Sequence, residues 1–418
     1  MIGRVPSASQ RAGLQLLDDV RRDVSRARPE HAARAAVHSL TVFACARPAD
    51  ARLLLSDSLA GAGPLGDNRD RLLDGLALIV EEAHARLPAS AVIPDLPPRL
   101  ICAVASRLLA SRLRRGDEHA PCELAPRELL PELAEELVRW IAPYQRPIAR
   151  HSWRALAALP APARSPYVPT HALRAPPALP PARQRTPTGA VAENHWLRIV
   201  FATAKVLQRD GYASATVAQI CAVAGVDTRA FYCVFAGKRE ALAAVNELLF
   251  RHAMAVAAGA FVAGATWPQR VWEAARALTQ FAEQNRTLAY VSLIESHAAG
   301  ASAGVDDFTG AFTIFLQEGS RQPRPRGLVR AARPSELALE ATAAAAYELC
   351  YRRAREGGAP AHSASFAQLA FIALAPFLGA QAATDFLARQ ARPRRTRASP
   401  RSARRPARYR RTAPSICR

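Results

Sequence analysis

Helical periodicity is the feature of this sequence that most restricts its fold. Apolar residues recur at spacings of three and four along most of the chain, which is the pattern of amphipathic helices. Alternation of β-branched and polar residues is scarce, so no segment is predicted to be a strand. We therefore predict an all-α protein. The clearest predicted helices cover residues 70–87, 99–115, 127–142, 195–209, 269–285, 307–319 and 336–356.

Proline and arginine divide the chain of 418 residues into predicted domains. Residues 145–190 contain ten prolines, a density that excludes a long helix and predicts a stiff extended linker. The segment after residue 391 contains eleven arginines and no acid, which predicts a disordered basic tail. The predicted parts are a helical domain over 1–144, a Pro-, Ala- and Arg-rich linker over 145–192, a three-helix domain over 193–245, a helical domain over 246–388 and a tail over 389–418.

Charge and cysteine usage restrict the class of protein. The formal net charge is +21, which favours a nucleic-acid partner, although 54 of the basic residues are Arg and two are Lys, a skew typical of GC-rich coding. The seven cysteines are scattered without a C-x-x-C pair, which argues against a disulfide framework and a zinc site. The sequence shows no secretion signal and no uninterrupted apolar stretch of membrane-spanning length, so we expect a cytoplasmic protein with no membrane partner.

The two helical domains are similar to each other in sequence. Residues 39–58, SLTVFACARPADARLLLSDS, share LTxFA and a final acid–Ser pair with residues 277–296, ALTQFAEQNRTLAYVSLIES. Two further matches follow in the same order: 106–116 with 347–357, and 139–144 with 373–377. The common order predicts a duplicated helical domain.

The segment 195–245 carries the most specific pattern. One face of its first helix is apolar and consists of Ile199, Ala202, Thr203, Val206 and Leu207. Gly211 is predicted to end that helix as a left-handed C-cap. Thr216 and Gln219 form a predicted capping box for a helix to about Ala224, and Asp227 is the predicted N-cap of a third, short helix. Two short helices joined by a Gly-containing turn predict a helix-turn-helix.

This segment resembles the DNA-binding headpiece of the TetR family of bacterial transcriptional regulators. The resemblance lies in RIVFATAKVLQRDGY, TVAQICAVAGVDTRAFYCVF and GKREAL, about fifty residues without a gap. It implies a three-helix headpiece followed, over 246–388, by a helical domain that binds an effector and dimerises. Residues 1–144 then resemble a second effector domain without a headpiece. Phe201 and Cys233 depart from the family pattern, so Phe201 is expected to pack on a neighbouring domain and Cys233 to leave one DNA contact missing.

The recognition helix, about 227–233, is predicted to enter the major groove. Arg229 is the predicted base reader, with Thr228 and Ala230 at base edges or a thymine methyl. Tyr232, Thr216 and Lys238 are predicted phosphate contacts. Other interpretations stay open. Arg229 is then a solvated surface residue, Thr216 only caps its helix, and Lys238 only stands at the start of the next helix.

The predicted effector is small and lipophilic, because aromatic residues are frequent in the C-terminal part. The candidate pocket residues are Trp272, Phe281, Tyr290, Phe312 and Tyr347. No catalytic motif, cofactor loop or metal-ligand spacing is present in the sequence, so we expect a non-enzyme without cofactor or metal.

Two effector-like domains with one headpiece allow two architectures. In the first, the two domains pair within one chain as a pseudo-dimer, with helices near 99–115 and 127–142 against those near 336–356 and 363–378. In the second, a further headpiece is encoded upstream of Met1. The expected partners are operator DNA, an effector, and a second chain or the pseudo-dimer. The predicted function is a transcriptional regulator, with repression favoured. Its alternatives are a ligand-binding adaptor and a non-specific basic DNA-binding protein.

Overall fold

The computed structural model describes residues 7–56, 64–118, 126–160, 162–179, 188–299, 303–321, 334–356 and 362–391. Helices account for most of these residues, which confirms the all-α prediction. Each of the seven predicted helices corresponds to an observed helix, with ends that differ by up to seven residues. Of the predicted basic tail, residues 392–418 lie outside the described residues.

The helices that precede the proline-rich segment form the N-terminal unit. They are α1 (Ala8–Arg26), α2 (Ala32–Ala46), α3 (Pro48–Ala51), α4 (Pro64–His84), α5 (Pro98–Glu118) and α6 (Pro126–Ile141). A π-helical turn over Arg52–Ser56 follows α3. Local sequence explains several starts: Ser7 and Gln10 form a capping box at α1, and Pro48 occupies the first position of α3, where its missing N–H costs nothing.

Three helices form the headpiece, and the remaining helices form the C-terminal unit. The headpiece contains α8 (Thr188–Ser214), α9 (Val217–Ala224) and α10 (Thr228–Tyr232). The C-terminal unit contains α11 (Lys238–Val262), α12 (Trp267–Gln284), α13 (Arg286–Tyr290), α14 (Ser296–Ala298), α15 (Ala303–Arg321), α16 (Glu336–Arg355), α17 (His362–Leu378) and α18 (Ala380–Ala391). A π-helical turn over Val291–Glu295 lies between α13 and α14.

The connecting segment between the units is more structured than its proline content predicts. Strand β1 (Val92–Pro94) pairs antiparallel with β2 (Gln145–Pro147), and helix α7 (Trp153–Ala157) follows. Neither strand is long enough to show alternation in the sequence, which is why the prediction of no strands missed them. Helix α8 also begins at Thr188, before the predicted end of the linker.

A buried carboxylate holds the start of the connecting segment in place. Asp95 is fully buried, and its oxygens accept hydrogen bonds from the backbone N–H groups of Ser152 at 2.8 Å and Trp153 at 3.2 Å. His151 Nδ1 lies 2.8 Å from the same carboxylate. These contacts are long-range, so the local proline count of the sequence does not reveal them.

The largest hydrophobic core extends through both helical units. It contains Leu40, Leu109 and Trp140 of the N-terminal unit together with Phe366 and Phe371 of the C-terminal unit, all nearly inaccessible to solvent. A shared core of this kind stabilises the two units as one body through burial of apolar surface.

The same order of elements occurs in both units. A long helix, a short helix and a π-helical turn follow one another as α2, α3 and Arg52–Ser56, and again as α12, α13 and Val291–Glu295. Three long helices then follow in each unit, α4 to α6 in one and α15 to α17 in the other, and α18 has no counterpart in this order. The order agrees with the sequence similarity between residues 39–58 and 277–296. The duplication itself stays a prediction.

Within the described ranges, α11 is the one helix that by length and hydropathy could cross a membrane. Several of its apolar side chains, including Leu242, Val245 and Leu248, are buried against neighbouring helices. The core helix of a globular protein passes the same test, so α11 does not indicate a membrane protein.

Candidate nucleic-acid interface

Helices α8, α9 and α10 pack around one small core. The predicted apolar face of α8 is buried, with Ile199, Ala202, Thr203, Val206 and Leu207 each at most 2% exposed. Phe231 of α10 and Phe235 close the core from the other side, with ring centroids 5.9 Å apart. The predicted headpiece core is therefore confirmed.

The headpiece core continues into the C-terminal unit. Phe201 is 9% exposed and belongs to the same buried cluster as Leu288 and Val291. An apolar residue at this position therefore lies in a core that reaches beyond the headpiece, in agreement with the expectation drawn from its departure from the family pattern. The contact gives the headpiece a fixed base on the larger unit.

A kink at Gly211 ends the straight part of α8. Gly211 has φ +75° and ψ 159°, a conformation open to glycine and strained for a residue with a Cβ. The predicted positive φ is confirmed, but ψ is extended and not that of a left-handed helical cap. The chain after the kink makes one more helical turn, to Ser214.

The start of α9 follows the predicted capping chemistry. Thr216 Oγ1 accepts a hydrogen bond from the N–H of Gln219 at 3.3 Å, and Gln219 Oε1 accepts one from the N–H of Thr216 at 2.8 Å. Gly225 ends the helix in the left-handed region, at φ 63° and ψ 41°. The capping box was predicted and is confirmed, whereas Gly225 was predicted only as the glycine of a turn.

Helix α10 begins at the predicted cap and presents one polar face. Asp227 Oδ1 accepts a hydrogen bond from the N–H of Ala230 at 2.6 Å. Phe231 is buried, whereas Thr228 and Arg229 are exposed and Tyr232 is 56% exposed. A large aromatic with so much surface in water needs a reason beyond packing. The exposed face is the one that sequence analysis assigned to DNA.

Four of the six predicted DNA-contact residues lie together on α10, and Thr216 begins the neighbouring helix. In the part of the chain that the structure describes, Arg229 makes no ion pair or hydrogen bond through its guanidinium. Ala230 is half-buried and Cys233 is exposed. Thr228 also has a contact on its inner side, a hydrogen bond with Cys221. Burial raises the pKa of the Cys221 thiol, and this hydrogen bond partly opposes the rise.

Lys238 has a different set of contacts from the one predicted. Its Nζ donates to the carbonyl oxygens of Tyr212 at 2.8 Å, Ala215 at 3.0 Å and Ala213 at 3.4 Å, and lies 4.6 Å from the centre of the Tyr212 ring. The ammonium therefore satisfies carbonyls at the end of α8 and joins them to the start of α11. A phosphate contact through Lys238 would have to compete with these three hydrogen bonds. The sequence pattern did not reveal the bonds, because their acceptors lie more than twenty residues away in the chain.

A second polar contact between the headpiece and the C-terminal unit was not predicted from the sequence. Glu295 is 2% exposed, and its Oε2 accepts a hydrogen bond from the N–H of Tyr212 at 2.7 Å. Burial raises the pKa of the Glu295 carboxyl, and the hydrogen bond from Tyr212 partly opposes that rise. The acid–Ser pair at residues 295–296 was noticed as a repeated element, but its partner lies 83 residues away in sequence.

The five predicted pocket residues are not brought together around one cavity. Trp272 packs edge-to-face on Phe366, while Phe281 belongs to a separate core cluster. Phe312 lines a small apolar pocket between α11, α12, α15 and α17 whose volume is about 20 Å³, room for about one water molecule. Tyr290 is half-buried beside a third cluster, which contains Tyr347. The effector pocket stays a prediction.

Tyr347 lies in a buried polar cluster between the two units. Its hydroxyl is 2.8 Å from His297 Nε2, and the guanidinium of Arg107 stacks 4.3 Å from its ring centre. The neighbouring Glu348 pairs with Arg69 at 2.7 Å and with Arg107 at 2.6 Å. Burial alone would raise the pKa of Glu348, but the two guanidinium charges outweigh it and the pKa is lowered.

Among the described residues, no three His, Cys, Asp or Glu side chains lie close enough to hold a metal ion. The five cysteines in the described ranges are free thiols, and three of them show a pKa raised by burial, to about 12 for Cys102 and about 11 for Cys350. The candidate site of this chain is the outer face of α10 and the start of α9, because Thr228, Arg229 and Tyr232 are exposed there.

These features define an all-α, DNA-binding protein with a helix-turn-helix on a larger helical body. Residues 199–245 match the family model described as bacterial regulatory proteins, tetR family. The chain is therefore a DNA-binding transcriptional regulator whose helix-turn-helix is similar to that of the TetR family. A comparison with curated proteins found no match.

Proposed function

We propose that the chain is a repressor that occupies an operator in duplex DNA until a small molecule releases it. The observation that carries the proposal is the outer face of α10. Arg229 and Tyr232 project from this face, while Phe231 fixes the opposite side in the headpiece core. A helix that is rigid on one side and cationic on the other is suited to the major groove.

Each residue of this face has a proposed role. Arg229 donates two hydrogen bonds to the O6 and N7 atoms of a guanine, and Thr228 and Ala230 meet the edges of neighbouring bases. Tyr232 and Thr216 bind phosphates, which fix the position of the helix in the groove without reading sequence. Lys238 contributes to DNA binding through its hold on the end of α8, with a phosphate contact as a secondary role.

Release requires a connection from the C-terminal unit to the headpiece. The π-helical turn Val291–Glu295 packs on α8, α11 and α16. A ligand that shifts α16 would therefore move Glu295 and, through the N–H of Tyr212, the kink in α8. An effector can do this only if it binds the two arrangements of the turn with different affinity.

The effector is proposed to be small and lipophilic, because the interior of the C-terminal unit is apolar. The candidate lining residues remain Trp272, Phe281, Tyr290, Phe312 and Tyr347. The regulator is proposed to act in the cytoplasm and to have no catalytic activity.

Selection from a random duplex library with the full chain, near physiological salt, tests the proposal. We expect one enriched motif, and we expect the Arg229→Ala variant to lose it. The Arg154→Ala variant changes an exposed arginine of α7 and is the matched control, expected to select the same motif. Binding without any enriched motif would contradict the proposal and favour non-specific binding through the basic tail, since phosphate contacts alone do not read sequence.

A further inference from the structure

The two helical units pack on each other through α5, α6, α16 and α17. Helices α5 and α16 hold the same place in the repeated order of elements, and they contact each other across the boundary. The Trp140 indole donates to Thr342 Oγ1 at 3.2 Å, and the Tyr144 hydroxyl donates to the Ile372 carbonyl at 2.7 Å. Contact between corresponding surfaces is the arrangement of a twofold-symmetric dimer.

Charge pairing across this boundary is specific. Glu348 of α16 is 2% exposed, and both of its counter-ions, Arg69 and Arg107, belong to the N-terminal unit. At the edge of the boundary, Arg112 pairs with Glu340 at 2.8 Å. Separation of the units would leave the Glu348 carboxylate without either guanidinium, and an uncompensated buried charge is strongly unfavourable.

The central C-terminal helices have no free face, because α5 and α6 of the N-terminal unit pack on α16, while α17 is covered by helices of its own unit, by α7 and by Ala142–Tyr144. Every residue of α17 from Phe366 to Pro376 is buried, and so is every residue of α16 from Ala341 to Leu349. A helix that is apolar and buried on all sides is already inside a core. A second copy of the chain could reach α16 only after displacing α5 and α6 of the N-terminal unit.

The connecting segment follows the surface of its own C-terminal unit. Trp153 packs on Phe371 with ring centroids 6.2 Å apart, and Leu173 N–H donates to Asn285 Oδ1 at 2.8 Å. The backbone N–H of Ser165 donates to Gln280 at 2.7 Å. Because the segment is anchored at these points, the two units of one chain are held together and need no partner chain to meet.

We infer that the chain is an intramolecular pseudo-dimer that binds a single, asymmetric half-site as a monomer. One helix-turn-helix is present in the described residues, and the pairing surface of the unit that carries it is filled by the N-terminal unit of the same chain. The operator therefore contains one binding motif without an inverted repeat. The DNA part of this inference rests on the proposed function, whereas the pseudo-dimer does not.

Sedimentation equilibrium of the full chain without DNA tests the pseudo-dimer directly. The expected mass is that of one chain, 45.1 kDa, across the micromolar range. A mass of about twice that value would overturn the inference, because the units would then pair between chains. This arm stays decisive even if no specific DNA is found and the proposed function fails.

The same measurement with the selected duplex tests the half-site. We expect one chain per duplex and an enriched motif without internal symmetry. An inverted repeat that carries two chains would overturn the single half-site. Competitor DNA is included so that the basic tail does not recruit additional chains through phosphate contacts.

A charge reversal at the boundary provides a variant test. Arg112→Glu places a second carboxylate opposite Glu340 across the boundary and is expected to lower the urea midpoint of unfolding. The double variant Arg112→Glu with Glu340→Arg restores opposite charges and is expected to restore the midpoint. Arg34→Glu reverses an exposed arginine that pairs within the N-terminal unit and is the control. Equal midpoints for all three variants would contradict contact between the units.

Discussion

The Glu295 carboxylate and the backbone N–H of Tyr212 are joined by a hydrogen bond of 2.7 Å. The bond connects the π-helical turn of the C-terminal unit to the residue that follows the kink at Gly211. Helix α8 ends at Ser214, and the capping box of α9 begins two residues later, at Thr216. Glu295 is buried, so the bond is shielded from water. Together with the bonds from Lys238 to carbonyls at the end of α8, it links the headpiece to the unit that is proposed to bind the effector.

Removal of this carboxylate is predicted to weaken the link. Glu295→Ala leaves the N–H of Tyr212 without its partner, which costs about 1–3 kcal/mol of the free energy of unfolding. Glu295→Gln retains an acceptor oxygen and should lose less. Urea denaturation measures the difference, with Glu247→Ala on the exposed side of α11 as the control. A Glu295→Ala variant as stable as that control would refute the role of the bond.

The Glu295 carboxyl should also give a pH signature. Its pKa in the folded state is raised above the ordinary value of 4.5, so the folded state binds its proton more tightly than the unfolded state does. The stabilisation is complete below the unfolded pKa and is lost as the pH rises through the folded pKa. The free energy of unfolding of the wild type, compared with that of Glu295→Gln, should fall as the pH rises from about 4.5. A constant difference between the two proteins would contradict the raised pKa.

The Glu348 carboxyl is predicted to show the opposite dependence. Arg69 and Arg107 lower its folded pKa below 4.5, so its stabilisation is present above that pH and is lost as the pH falls through the folded pKa. Glu348→Gln leaves two buried guanidinium groups uncompensated and is expected to cost about 3–5 kcal/mol near neutral pH.

Urea denaturation between about pH 7 and pH 3 checks this prediction. The wild type should lose its advantage over Glu348→Gln as the pH falls. Glu336→Gln changes an exposed carboxylate on the same helix and should follow the wild type throughout. If Glu348→Gln is as stable as Glu336→Gln at neutral pH, the buried pair does not hold the units together.

Lys238 distinguishes a structural role from a phosphate contact. Lys238→Met removes three hydrogen bonds to carbonyls at the end of α8 and is expected to cost about 1–3 kcal/mol of stability. Arg239→Met, at the exposed neighbouring position, is the control and should leave stability unchanged. Unchanged stability in Lys238→Met, together with a salt dependence of DNA binding that is weaker by about one phosphate contact, would show that the original prediction was right.

The headpiece was predictable because its determinants are local. The capping pair Thr216–Gln219, the cap at Asp227 and the positive φ of Gly225 each depend on residues within a few positions of one another. Helical periodicity then set which side of α8 is buried. The same local reasoning missed β1 and β2, whose two short segments lie about fifty residues apart in sequence.

The remaining features depend on contacts between distant parts of the chain. Nothing near Glu348 in sequence indicates that Arg69 and Arg107 are its partners, and nothing near Lys238 indicates that its ammonium turns inward. The five aromatic residues proposed for the effector pocket were chosen by residue type. Three-dimensional packing distributes them over separate clusters, which residue type cannot predict.

The outer face of α10 is proposed to read DNA sequence. Fluorescence anisotropy with the selected duplex and a scrambled duplex tests it, using the full chain and the variant that combines Arg229→Ala with Tyr232→Ala. We predict that the wild type prefers the selected duplex. The variant should lose about 1–3 kcal/mol of that preference, because the base contact of Arg229 is removed. It should also bind more weakly to both duplexes, because the phosphate contact of Tyr232 is removed. A variant that keeps the full preference of the wild type would contradict the assignment of DNA recognition to α10.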